Sequence, residues 1–339
     1  MDSLTHIAIG ACIGELFLGK KIGKKAMLYG AIASSIPDID FVTAFWLTTP
    51  DDLMAHRGFT HSFLFAAMVI AGLTFLFRHR HRVDKIPVKT WLLFVGTEIG
   101  SHLFLDAFNA YGIGWLEPFS HYRFSFNSLF IVDPFFSIWA GIAAGMLLIL
   151  HRHHRRRKRW AGWGLVFCSL YFGYSLVNKF TTDTGVRYAL LKQHVHYLGY
   201  FTTPAPFNSC LWFVVAEVDS GYYAGYRSVF DTGDSINLRF FPRNEELLKP
   251  LGSQKDLAQL LRFSQGYYTV EHSGRGLVFN VLRFGQIQGW QYSNAPFVFH
   301  YYLQDPDANG LVVQRGRFAG WNRQAIKFYL RRIFGNVDR

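Results

Sequence analysis

Six apolar runs joined by loops of alternating charge set the first limit on how this chain can fold. The runs are residues 5–18, 26–47, 62–77, 90–108, 130–150 and 160–177. The first, third and fifth loops are strongly basic: Lys20, Lys21, Lys24 and Lys25; then Arg78, Arg80, Arg82, Lys85 and Lys89; then HRHHRRRKR at 151–159. The second and fourth, residues 48–60 and 109–129, are nearly neutral, with Asp51, Asp52, Arg57, Glu117 and Arg123. Cytoplasmic loops collect Lys and Arg, so the alternation predicts about six helices with the basic loops inside and the N-terminus, neutral loops and tail outside. Several runs fall short of the ~20 residues of a straight span, which allows tilted, re-entrant or partly inserted helices.

At 50% hydrophobic and 17% charged, the 339 residues are too apolar for an ordinary soluble enzyme. The formal net charge of +12 sits in the short clusters between apolar runs. Topology explains that placement better than a nucleic-acid surface, so no nucleic-acid partner is expected. Cys12, Cys168 and Cys210 have neither disulfide nor thiolate-zinc spacing. The first lysine is Lys20, so the opening apolar run lacks the basic region of a cleavable signal and is expected to persist as a helix.

After residue 177 the composition changes, which predicts a helical membrane domain over 1–178 and an extracytoplasmic β-rich domain over 179–339. Residues 179–199 read as a mixed connection. Leu211–Val218, Tyr222–Phe230, Ser235–Phe241 and Gly276–Phe284 alternate β-formers with turn signals and predict an antiparallel sheet. Glu245–Phe263 has a helical pattern broken by Pro250 and Gly252. The tail's aromatic residues are expected in its core. A basic group, Arg317, Arg323, Lys327, Arg331 and Arg332, could face anionic headgroups or simply solvent. No nucleophile-elbow, phosphate-loop or dinucleotide motif occurs.

Ionisable residues recur at the neutral ends of the apolar runs. At the helical rise of about 1.5 Å per residue, His6, Asp38, Asp40, His61, His102, Asp106 and Asp133 all fall roughly 20–27 Å above the basic boundary. Such residues beside hydrocarbon mark functional sites. His102 and Asp106 are four apart, on one helix face, and Glu98 extends that face. Pro37 should open the helix before Asp38 and Asp40 so that both turn inward. HRGFTHS places His56 and His61 around a turn at the rim. Imidazole and carboxylate donors without thiolate suit zinc, manganese or iron. The histidines of the basic loops, His79, His81, His151, His153 and His154, read as solvated charge.

MDSLTH at the start, SSIPDID, HRGFTHS, HLFLDAFNAYG at 102–112 and PFSHYRFSFNSLFIVDP at 118–134 resemble, in order, the YbcI/YdjM-like family of inner-membrane metal-dependent hydrolases. The resemblance implies a polytopic membrane protein with a hydrolytic centre, distantly similar to zinc-dependent phospholipases C. It carries ligands onto His6, Asp38, Asp40, His56, His61, His102 and Asp106, with Asp2 and Asp133 as additions. Asn127 stands where many relatives are expected to have an acidic residue.

In such a site Asp40 or Glu98 would take a proton from water, while Arg57 and Arg123 would hold a phosphate or anchor at headgroup level. Two readings follow. One is a hydrolase of lipid-like phosphoesters at the outer face, with membrane lipids as partners. The other is a scaffold with a structural ion and a tail that binds a protein.

Overall fold

In the computed structural model, residues 1–251, 255–305, 309 and 320–335 are described. The chain divides into two units, one of residues 1–45 and 55–174 and the other of 46–54 and 175–339. Arg317 and Gly252 lie outside the described residues.

The first unit is helical: α1 Ser3–Ile22, α2 Lys25–Ser35, a 3-10 segment Pro37–Phe45, a 3-10 turn Phe59–His61, α4 Phe63–Arg80, α5 Val88–Asp106, α6 Pro134–Ile149 and the first part of α7 Arg157–Lys192. The short α3, Thr49–Ala55, counts almost wholly with the other unit. Helix starts follow local chemistry. Asp2 caps α1 by accepting from Thr5 N at 3.0 Å, Ser62 caps α4 through Phe65 N at 3.1 Å, and Asp133 caps α6 through Phe135 N at 3.0 Å. Pro37 ends α2 as expected and tightens the next nine residues into a 3-10 turn.

The expectation of about six spanning helices needs correction. Among the described residues, two helices, α4 and α7, are long and apolar enough to cross a membrane. The other apolar runs fall short for visible reasons: α1 carries Glu15, Lys20 and Lys21, α2 has 11 residues, α5 carries Lys89, Glu98 and Asp106, and α6 has 16 residues.

α1 and α2 approach closely enough that backbone meets backbone. A Cβ on Gly30 would overlap the Gly10 carbonyl, and one on Gly14 the Ala26 carbonyl. This contact lets Ser34 donate to the His6 carbonyl at 2.9 Å, tying the helix that carries His6 to the segment that leads to Asp38. The apolar core of this unit gathers around Trp91, Phe94, Val95 and Ile99 of α5.

In the second unit, α7 runs to Lys192, where a mixed connection was expected. Lys179 and Asp183 pair one turn apart at 3.3 Å, and Val186, Ala189 and Leu190 bury against Val214 and Ala216 of the sheet and Ile236 of the loop before β4. Tertiary burial therefore sets the helix end, which local pattern could not reveal. Two antiparallel sheets follow. One has the order β1 Gly199–Pro204, β2 Leu211–Val218, β3 Gly221–Ser228, β4 Leu238–Pro242; the other β5 Tyr268–Ser273, β6 Gly276–Gln286, β7 Phe297–Tyr302. Pro204 sits on an edge strand, where its missing N–H costs no ladder bond. The helical pattern at 245–263 resolves into a 3-10 turn, Glu245–Leu251, and α8 Lys255–Ser264; α9 Arg323–Ile333 closes the chain.

The close α1–α2 crossing predicts that Gly30→Val destabilises the protein by about 1–3 kcal/mol through overpacking. Gly72→Val on α4, where an added Cβ meets nothing within 4 Å, is the control. Thermal unfolding of the purified full-length chain in detergent should show a lower midpoint for the first variant and little change for the second. Equal midpoints would show that the crossing is not tight.

Candidate metal centre

Four side chains from three segments converge: Asp38 from the 3-10 segment, His61 from the turn before α4, and His102 and Asp106 from α5. One ligand atom from each lies within 4.8 Å of all the others. His61 Nε2 and His102 Nε2 are 3.2 Å apart. Asp38 Oδ1 is 3.7 Å from His61 Nε2 and 3.5 Å from His102 Nε2, and Asp106 Oδ2 is 3.4 and 3.5 Å from the same two atoms. His61, His102 and Asp106 are wholly buried, and the Asp38 side chain is 14% exposed.

The hydrogen bonds around this group decide which ring nitrogens carry protons. His102 Nδ1 lies 2.6 Å from the Ser34 carbonyl, which can only accept, so Nδ1 carries the hydrogen. His61 Nδ1 lies 3.0 Å from Thr60 Oγ1, whose own hydrogen goes to Asp40 Oδ2 at 3.2 Å, so Nδ1 is again the donor. Both Nε2 atoms are therefore bare lone pairs facing two carboxylate oxygens. Asp106 Oδ2 has no hydrogen-bond partner among the described residues. Four acceptors this close need compensating charge: the Arg57 guanidinium, its Nε 3.4 Å from Asp106 Oδ2, supplies part of it from one side, and a proton on one imidazole or a metal ion would supply it from within.

Spacing fits the ion. A tetrahedral centre with ligand bonds of about 2.0–2.2 Å has edges of about 3.3–3.6 Å, and the five separations above run from 3.2 to 3.7 Å.

The other expected ligands lie around this core. His6 stacks on His102 with ring centroids 3.8 Å apart and points Nε2 at Asp106 Oδ1, 3.2 Å away. Asp40 sits on the far side of His61, its Oδ2 3.5 Å from Nδ1, and takes the Arg57 N–H at 2.6 Å. Its Oδ1 is 3.3 Å from Nδ1 of His56, whose side chain is 37% exposed. Asp38 and Asp40 thus serve different faces of His61, where the opened segment was expected to turn both inward.

Asp2 and Asp133 are helix caps, and Asp133 Oδ2 also accepts from Tyr171 at 2.8 Å. Glu98 is fully buried against Gly30 with neither oxygen hydrogen-bonded among the described residues, and the structure does not bring it to the four-donor group. Asn127 adopts a positive φ of 48° and accepts from Ser125 Oγ at 2.8 Å.

Both arginines are buried. Arg57 Nε lies 3.4 Å from Asp106 Oδ2, and Nη2 donates to the Met1 carbonyl at 2.8 Å. The left-handed turn of HRGFTHS falls on Arg57, φ 57°, rather than on Gly58. Arg123 Nη2 donates to the His56 carbonyl at 2.9 Å; burial lowers its guanidinium to about 10, with Glu117 opposing the shift, so it stays charged at neutral pH. Sequence reasoning passed over Ser34, Thr60 and Tyr111, whose ring lies 5.6 Å from the Arg57 guanidinium carbon. Both Ser34 and Thr60 stand inside recognised motifs, SSIPDID and HRGFTHS, but Ser34 reaches His102 through its backbone carbonyl, a contact that residue type does not announce.

A helical protein with a buried histidine–aspartate centre is the class this geometry defines. The chain matches the sequence profile of the YdjM inner membrane protein family over residues 1–181, and it belongs to that family of inner-membrane proteins. It is 36% identical over 124 residues to inner membrane protein YbcI of Escherichia coli K12, which covers 36% of this chain and 69% of that protein. It is 30% identical over 148 residues to the uncharacterized protein YfhP of Bacillus subtilis 168, covering 41% of this chain and 43% of that one. No solved structure matches the chain.

Removal of a core donor should empty the centre, and removal of the group that orients one should only weaken it. Elemental analysis of purified protein is expected to find near-stoichiometric metal in the parent and a small residue in His102→Ala and Asp38→Ala. Asp40→Asn should bind roughly 10–100-fold more weakly. Full metal content in both alanine variants would remove the assignment.

Proposed function

We propose that this chain is a metal-dependent hydrolase of the inner membrane that acts on a lipid-like phosphoester at the outer face, with zinc, manganese or iron as its ion. The observation that carries this reading is the donor set. Two bare imidazole nitrogens and two carboxylates converge without a thiolate, whereas structural zinc sites are built largely on cysteine. A divalent ion held there would supply Lewis acidity toward a phosphoryl oxygen and a nucleophilic water near neutral pH.

The chain's own residues would do the rest. Asp38, the one core donor with solvent access, marks the side from which substrate would enter. Asp40 stands behind His61, where it would fix that ring through Thr60, with the partly exposed His56 beside it. Arg57 has Nη1 without a hydrogen-bond partner among the described residues, which leaves one edge of the guanidinium for an anionic oxygen. Arg123 would hold the His56 backbone in place. The alternation of basic and neutral loops supports an outward-facing centre and an extracytoplasmic tail.

One observation favours the other reading, a scaffold with a structural ion and a partner-binding tail: four protein donors already fill a tetrahedron, and a catalytic centre keeps a position open. Turnover separates the two. Purified protein should release phosphate or headgroup from lipid phosphoesters, lose that activity to a chelator and regain it with the metal. Asp40→Asn should lower activity at limiting metal and regain most of it with excess metal, as expected for loss of a group that orients a ligand. Metal-loaded protein without turnover on any lipid phosphoester would select the scaffold.

A further inference from the structure

At the end of α1 remote from the metal centre lies a cavity of about 930 Å³, lined by the turn after α1, by His81 and Asp84 of the α4–α5 loop and by the α6–α7 loop. By the helical rise it is roughly 21 Å further along α1 than His6.

Both carboxylates in its lining are already engaged by neighbouring side chains. Glu15 is held by Arg157, whose Nε and Nη2 donate at 3.0 and 2.7 Å while Nη1 donates to the Leu150 carbonyl at 2.9 Å; the pair is buried. Asp84 lies 2.6 Å from His81 Nδ1, and His81 Nε2 meets the Tyr29 hydroxyl at 2.8 Å. Around this floor stand Lys20, Lys21 and Lys25 from one segment and Arg152, Arg155, Lys158 and Arg159 from another. None of them has an ion pair among the described residues.

A topology signal requires positive charge in a loop. It does not require two loops distant in sequence to converge on one cavity whose acids are already paired. The cavity is far larger than one phosphate. Leu148 and Ile149 at the end of α6, and Phe75 and Leu76 at the end of α4, are all more than half exposed at the same end of the helices. A ligand seated here would meet cations at its head, and its remainder could extend toward the apolar surface that Leu148, whose carbonyl accepts from Lys24, and Ile149 expose at this end of α6, which is the profile of an amphiphile.

We propose that this cavity binds an anionic phospholipid through its headgroup phosphates, with a two-phosphate headgroup of the cardiolipin type as the preferred occupant. Basic pockets between membrane helices recognise such headgroups, and each basic side chain at the membrane surface adds attraction that salt screens. The inference does not depend on the chemistry of the metal centre.

Native mass spectrometry of the delipidated full-length protein tests it, with cardiolipin, phosphatidylethanolamine and inorganic pyrophosphate as probes. Cardiolipin should bind well and phosphatidylethanolamine poorly. The triple variant Lys20→Gln, Lys21→Gln, Arg159→Gln should bind cardiolipin about a hundredfold more weakly, and Lys20→Arg with Lys21→Arg should retain it. Circular dichroism and thermal unfolding, read on the same samples, report whether the fold survives. If the triple variant does not fold, added salt on the unmodified protein must lower cardiolipin occupancy. Cardiolipin binding unchanged by the charge variant, or by salt, overturns the proposal. So does pyrophosphate binding as tightly as cardiolipin, which would make the cavity a site for a soluble diphosphate.

Discussion

Two imidazole nitrogens 3.2 Å apart, each facing two carboxylate oxygens at 3.4–3.7 Å in a buried pocket, need positive charge among or beside them, and much of the surrounding structure serves to hold them there. Each donor is aimed by a neighbour that has little freedom of its own. The Ser34 carbonyl fixes the His102 ring, and it is available because the helix ladder gives out just beyond it, where Pro37 follows. The Thr60 hydroxyl relays between His61 and Asp40, and Asp40 is pinned by the Arg57 N–H. Partners of this kind set tautomer and orientation, and with them the affinity of a metal site.

Glycine makes this geometry reachable. Because Gly10, Gly14 and Gly30 let α1 and α2 touch backbone to backbone, His6 lies against the His102 ring, and the chain leaves α2 directly over α5. Small residues at a helix contact allow this close approach. The same economy appears at the opposite end of the unit. There the buried Glu15–Arg157 pair ties α1 to the start of α7, with the surplus cations left facing outward.

Much of this was legible from residue type and spacing. The i, i+4 pair His102 and Asp106, the break at Pro37 and the HRGFTHS turn each announce a local geometry, and together they contain the four residues that the structure brings together. Spacing could not tell Asp38 from Asp40, because the face each carboxylate serves depends on how the 3-10 segment lies against His61. Nor could it show that Asp2 and Asp133 would be used up as helix caps, or that Glu98, on the right face of α5, would stop one turn short beside Gly30. Apolarity alone overcounted spanning helices, since a run cut by Pro37 or carrying Glu98 and Asp106 reads as greasy without forming a long apolar helix. In the β-rich unit, strands β1, β5 and β7 and the far half of α7 went unread, the helix end being set by burial against residues of the following sheet and the loop before β4.

X-ray absorption at the metal edge of the purified, metal-loaded protein addresses the central claim most directly. The account predicts about four nitrogen or oxygen neighbours at about 2.0–2.2 Å, with the outer-shell scattering of two imidazoles and no sulfur. A sulfur shell near 2.3 Å, or a spectrum without imidazole scattering, would contradict it.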